Sequence, residues 1–182
     1  MGQKMAIAIT GGRCPPSTVP VDAGKEANMY AKLLVPLDGS IVAEAALAHA
    51  EAIAGPLDVE ILLLSVVDRP REVGRHAMMD ADYYPWVDID ALVQKKAEGA
   101  QTYLAKVAEG LQGKGLRVST VVAIGDPAGM IVEEARKQGA GLIVMTTHGR
   151  GALGRFIFGS VSQKLLEISP VPVFLVRWRA VL

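Results

Sequence analysis

Five short runs rich in branched apolar residues recur along the chain, separated by segments with apolar residues at helical spacing. This alternation constrains the fold more than any other feature. The second run, Val59–Val67, is apolar at nearly every position and broken only by Glu60 and Ser65. A strand wetted on one side alternates apolar and polar residues, whereas a strand buried on both faces does not. Parallel strands also need a long crossover between them, usually a helix. The pattern therefore predicts a Rossmann-like three-layer α/β domain, a five-stranded parallel sheet with helices on both faces.

Strands are expected at Lys32–Pro36, Val59–Val67, Arg117–Ile124, Gly141–Thr147 and Val171–Val176. Ala43, Leu47, Ala50 and Ile53 mark the first helix, with Gly55-Pro56 as its stop. Residues 69–87 carry Pro70, Gly74, Tyr83, Tyr84, Pro85 and Trp86 and read as a long loop, a lid or a partner surface. Leu92, Gly99, Tyr103, Val107 and Leu111 form the expected face of the second helix, ended by Gly113 and Gly115. Ile131, Val132 and Ala135 mark the third helix, and Val161, Leu165 and Ile168 the last. The first 28 residues differ: Gly11-Gly12, Pro15-Pro16, Pro20 and Gly24 punctuate them, without periodicity. They read as a flexible extension ahead of a domain spanning 29–182.

The 182 residues suit one domain, large enough to bury a core without disulfides or metals. Hydrophobic residues make up 51% and charged residues 21%, which excludes a disordered chain. Lys+Arg and Asp+Glu both number 19, so the basic excess of a general nucleic-acid binder is missing. Cys14 is the sole cysteine, so neither an internal disulfide nor a cysteine-rich zinc site can form. No apolar run approaches the roughly 20 residues of a membrane span. The expectation is a cytoplasmic protein with neither membrane nor nucleic acid as partner.

The segment Met145–Ser160 carries the chemistry. Gly149, Gly151, Gly154 and Gly159 lie between an expected strand and an expected helix. Glycine permits close backbone approach, and a helix N-terminus offers free N–H groups and positive potential. Together these suit a phosphate. Gly149–Gly154 has the G-x-G-x-x-G spacing, but the chain ends soon after the next strand and lacks a second nucleotide half. Gly154–Ser160 has P-loop spacing without the lysine. In a parallel sheet ligands favour the carboxyl ends of the strands. That edge gathers Asp38, Asp68, Gly125-Asp126 and Thr146–Gly149. Asp38-Gly39-Ser40 also reads as a turn with a helix cap, and Ser160 as an N-cap. His148 has no second histidine or cysteine nearby in sequence and reads as a loop-packing residue. His49 falls on a helix face and His76 in a loop. Asp80, Asp82, Asp88 and Asp90 do not follow a calcium-loop spacing.

Several of these segments, in order, resemble the universal stress protein (UspA) family. Met29–Ser40 resembles the family's opening strand and turn, and Gly125-Asp126-Pro127 its mid-chain turn. Thr146-Thr147-His148-Gly149, nine residues, then Gly159-Ser160 resembles its nucleotide loop, G-x2-G-x9-G-[S/T]. Ser169–Val176 resembles its final strand. The likeness spans about residues 29–178, with one departure: Thr146 stands where the loop's first glycine is expected. The resemblance implies ATP or another adenine nucleotide, with Mg²⁺, at the carboxyl edge. Asp38 matches an acid near ribose or metal, holding Mg²⁺ through water. Val66 matches a residue lining the adenine pocket, shaped by Pro36 and Leu37. Gly149, Gly159 and Ser160 match phosphate contacts, and Val161 offers a backbone N–H. Gly125, Met145, Thr146, His148 and Arg150 complete the candidate set. The placing of Arg150, with Arg155, near phosphate rests on position alone.

The expected function is a nucleotide-dependent stress or signalling module, with weak ATPase activity at most, since no general base, Walker lysine or triad is visible. Two other readings stand beside it: a dimeric scaffold of the same family that binds no nucleotide, and a slow nucleotide or phosphate-ester hydrolase. Val171–Val176 is apolar and suits a sheet edge that pairs across a homodimer two-fold or is covered by residues 1–28 or a helix.

Overall fold

A computed structural model describes residues 30–69, 88–147 and 159–177. The elements are β1 (Lys32–Pro36), α1 (Ile41–Leu57), β2 (Glu60–Val67), α2 (Ile89–Gln112), β3 (Val118–Ile124), α3 (Pro127–Lys137), β4 (Leu142–Thr147), α4 (Ser160–Ile168) and β5 (Val173–Arg177). Strands and helices alternate in the expected order. The five strands pair in the order β3-β2-β1-β4-β5, and every pair is parallel.

The central strands are apolar on both sides because both sides are covered. Leu33, Val35, Ile61, Leu63 and Val144 pack with Ala46, Ala50 and Ala54 of α1 and with Leu104, Ala108 and Leu111 of α2. Leu34, Leu62, Leu64, Ile143 and Met145 pack on the other face with Ala128, Ile131, Val132 and Ala135 of α3 and Leu165 of α4. Alternate residues of one strand thus feed two different cores. Alanines on the inner face of α1 let that helix lie close to the sheet.

Three local expectations are corrected. First, α1 does not stop at Gly55-Pro56 but runs through Pro56 to Leu57. A proline in the last turn forfeits one hydrogen bond without breaking the helix. Asp58 ends it, in the left-handed region at φ 50°. Its N–H donates to the Gly55 carbonyl, and the Val59 N–H to the Ala54 carbonyl at 3.1 Å. This is a Schellman closure with aspartate in the glycine position. Second, the buried face of α2 is Val93, Leu104, Ala108 and Leu111, while Leu92 and Gly99 are exposed. Val93 and Leu104 are eleven residues apart, close to three turns, which keeps them on one stripe. Leu92 and Gly99 sit one position round, beyond its edge. Third, α4 buries Ser162 and Leu165, whereas Ile168 is exposed. Strand bounds otherwise shift by a residue or two.

Among the described residues β5 pairs only with β4. Phe174 stays 42% exposed on this edge, its ring 5.9 Å from that of His49 on α1. No helix among the described residues is long and apolar enough to cross a membrane.

Candidate functional site

All five strands end on one edge, and there the helices of the two layers begin or pass. From β1 the chain steps to β2 and β3, then crosses back to β4 and β5. The direction reverses between β1 and β4, which splays the connections apart and opens a crevice at a topological switch point. A cavity of about 290 Å³ lies there.

Each wall has a local origin. Beyond β1, the Leu37 N–H donates to the Leu64 carbonyl at 2.8 Å and extends the ladder by one residue. The chain then turns at Gly39, φ +79°. The Ser40 N–H donates to Asp38 Oδ1 at 2.9 Å, and Ser40 Oγ caps α1 by accepting from the Ala43 N–H at 3.1 Å. Pro36, Leu37, Asp38 and Ala43 line this side. Leu64 and Val66 of β2 and Met145 and Thr146 of β4 line the floor.

The opposite side comes from α3 and α4. Gly125 turns out of β3 with φ +151°, a backbone angle that L side chains rarely adopt, and a Cβ there would stand 2.8 Å from Met130 Sδ and displace it. Asp126 caps α3, its Oδ2 accepting from the Gly129 N–H at 2.9 Å. Pro127 takes the first helical position, where its missing N–H costs nothing. Pro127 and Ile131 face the cavity. In α4, Gly159 is the N-cap, with no side-chain cap bond. Ser160 is therefore the first helical residue and not the cap. Ser162 Oγ donates to the Gly159 carbonyl at 2.9 Å. Gly159, Ser160, Val161 and Ser162 line the cavity. The start of a helix concentrates donors and positive potential at this wall.

The charge on the α1 side is acidic. Tyr103 Oη donates to Glu44 Oε1 at 2.9 Å. Burial first, then Glu44 and the nearby Asp38 charge, push the Tyr103 phenol well above its ordinary range. Among the described residues no group of three His, Cys, Asp or Glu side chains could hold a metal ion. Among the described residues, Asp38 is the one carboxylate of the lining.

Of the residues expected from sequence, Pro36, Leu37, Asp38, Val66, Met145, Thr146, Gly159, Ser160 and Val161 meet around this cavity. Gly125 is not in the lining; it makes the turn that presents Pro127. His148, Gly149, Arg150 and Arg155 lie outside the described residues, as do residues 1–28, the glycine pattern 149–154 and the aromatic residues Tyr83, Tyr84 and Trp86. Ala43, Leu64, Pro127, Ile131 and Ser162 were not expected. Leu64 shares its strand face with Val66, and Ser162 lies within a helical turn of Gly159, so periodicity held a signal for both. Pro127 and Ile131 reach the cavity only through the crossover of α3, which local sequence does not reveal.

These features define a doubly wound α/β domain with a cavity of mixed apolar and polar character at its switch point. The universal stress protein family model matches residues 29–177. Universal stress protein MJ0531 of Methanocaldococcus jannaschii is 35% identical over 150 residues, covering 82% of this chain and 84% of the relative. Universal stress protein YxiE of Bacillus subtilis is 32% identical over 149 residues, covering 82% of this chain and all of the relative. The chain belongs to the universal stress protein family. Among solved structures, MJ0577 of Methanocaldococcus jannaschii superposes with TM-score 0.67 at 29% identity, over 84% of this chain and 99% of that one. A universal stress protein in complex with cAMP has the same fold, with TM-score 0.56 at 20% identity over 81% of this chain and 97% of that one.

Proposed function

We propose that residues 29–182 form an adenine-nucleotide-binding module, with ATP as the first candidate ligand, acting in the cytoplasm as a nucleotide-dependent stress or signalling protein. The observation that carries this reading is the cavity itself. Its floor and sides are apolar at Leu37, Leu64, Val66, Ile131 and Met145, and one wall is the uncapped N-terminus of α4. A flat base fits the first and a phosphate the second. The cAMP complex of a protein with the same fold lends further support.

Asp38, across the cavity from α4, is the residue to accept ribose hydroxyls or hold Mg²⁺ through water. The ion would be carried mainly by phosphate oxygens, since a lone carboxylate is a weak Mg²⁺ site. Thr146 is buried at the end of β4, in the cavity lining, where its methyl group takes room and its hydroxyl can bond a ligand oxygen. Nucleotide would act by favouring one conformation over another. The apolar edge strand β5, with Phe174 exposed, is the surface proposed to pair in a homodimer.

The test is to denature the purified protein, identify any released nucleotide, and titrate the stripped protein with Mg-ATP by calorimetry. Saturable heat at about one nucleotide per chain is the expected result. No released nucleotide and no heat with ATP, AMP or cAMP would remove the reading. Light scattering on a sizing column tests the dimer, and a monomer at micromolar concentration would refute it.

A further inference from the structure

The α3 and α4 walls of the cavity are joined by a link outside its lining. Asp126 Oδ2 accepts from the Gly129 N–H and from Lys164 Nζ, each at 2.9 Å. Asp126 directly precedes Pro127, which lines the cavity; Lys164 lies one turn beyond Ser160, which lines it too. One oxygen therefore fixes the first turn of α3 and ties it to α4. The geometry of the turn is fixed independently by Gly125, whose hydrogen atom points at Met130 Sδ. Helical side chains lean toward the helix N-terminus, so Lys164 reaches toward the carboxyl edge, where Asp126 stands.

We propose that the Asp126–Lys164 ion pair is a strap that sets the separation of α3 and α4, and so the width of the cavity between Ile131 and the first turn of α4. Lys164 is on this account a positioning residue that touches no ligand. The inference rests on the nucleotide reading above. Because the strap acts through width, it affects adenosine and ATP alike. A lysine acting directly on phosphate would affect ATP alone.

Two substitutions separate its parts. Lys164→Met keeps the aliphatic stem and removes the charge. Asp126→Asn keeps an oxygen to cap α3 and removes the ionic partner. Each is expected to weaken adenosine and Mg-ATP equally, by about two- to fivefold, the scale of a half-exposed ion pair. The double variant should be no worse than Asp126→Asn alone, because that substitution already breaks the link to Lys164. Lys114→Met, which removes the pair with Glu51 in the other helical layer, should leave affinity unchanged. Hydrogen exchange supplies a readout that needs no ligand: amides of 128–131 and 160–165 should exchange faster in both variants, and those of β1 and β2 should not. Unchanged exchange at those amides overturns the strap, whatever the nucleotides do. Loss confined to ATP also overturns it and makes Lys164 a phosphate ligand. A native protein that binds neither adenosine nor ATP overturns the nucleotide reading and the strap's purpose together, even where exchange responds.

Discussion

The two ends of the sheet use similar local devices for different purposes. At the amino end polar groups find partners within the chain. Asp58 closes α1, and its carboxylate and carbonyl both accept from the Arg117 guanidinium. Glu60 accepts from Lys32 and Ser119, and the Gly141 N–H donates to the Lys32 carbonyl at 2.9 Å. Positive-φ turns occur at both ends, at Asp58, Gly115 and Gly139 on the amino side and at Gly39 and Gly125 on the carboxyl side, but at the carboxyl end the helices begin, and Gly159 gives α4 no side-chain cap. Both ends pair polar groups within the chain, as Asp38 with Ser40 and Asp126 with Lys164 do at the carboxyl end. The carboxyl end adds a cavity, one wall of which is the start of α4. Changes at the first should be felt in stability, and changes at the second in binding.

The largest effect that could break this contrast is at Gly159. Its φ of −61° is open to any residue, so Gly159→Val adds bulk at the cavity without backbone strain. Nucleotide affinity should fall tenfold or more, a loss of about 1.4 kcal/mol or above, and the loss of a tolerated N-cap residue should lower stability by about 1 kcal/mol in urea titration. Gly125 sharpens the contrast, because it serves the carboxyl end only as a turn. Gly125→Val, forced to φ +151° and against Met130, should lower unfolding free energy by about 1–3 kcal/mol in urea titration. Thr146→Gly should act in both columns. It frees room at the end of β4 and should raise nucleotide affinity several-fold by calorimetry. A glycine inside a strand should also cost roughly 0.5–1 kcal/mol of stability.

The smallest effect belongs to the amino end. The Ser119 hydrogen bond, the largest cause, and then Lys32 hold the Glu60 carboxyl below its ordinary value of 4.5, against the opposing pull of burial. A group with a lowered folded value stabilises the fold above its unfolded pKa and loses that contribution as pH falls through the folded one. Ser119→Ala should therefore flatten the fall in stability as pH drops from neutrality through and below 4.5. Urea midpoints across that range would check it, and nucleotide affinity at neutral pH should not change.

Much of the fold was legible in the sequence, though unevenly. Strands such as Val59–Val67 announced themselves because burial on both faces leaves a continuous apolar run. The fold followed, since parallel strands with helical crossovers have few arrangements. Helix faces were less certain. Leu92 and Gly99 fit a seven-residue spacing as well as Val93 and Leu104 fit eleven, and only packing against β2 and β3 decides between them. The end of α1 was misread because Gly55-Pro56 looks like a stop, while the actual closure uses Asp58 in a conformation more typical of glycine. Of the cavity lining, the residues at strand ends and in the α4 turn were expected from the family resemblance and from position on the sheet edge. Pro127 was placed on that edge only as part of the Gly125-Asp126-Pro127 turn, and Ile131 was read as a core position of α3, because how α3 packs against the cavity depends on the crossover. The register between α3 and α4, and with it the Asp126–Lys164 link, spans 38 residues and has no local signature.

The most direct test of the central claim is an amide correlation spectrum of isotope-labelled protein during titration with Mg-ATP. The account predicts saturable shifts concentrated at Leu37–Asp38, Val66, Met145–Thr146 and Gly159–Ser162, with Asp58, Glu60 and Arg117 unmoved. No shifts at millimolar nucleotide, or shifts centred on the amino end of the sheet, would contradict it.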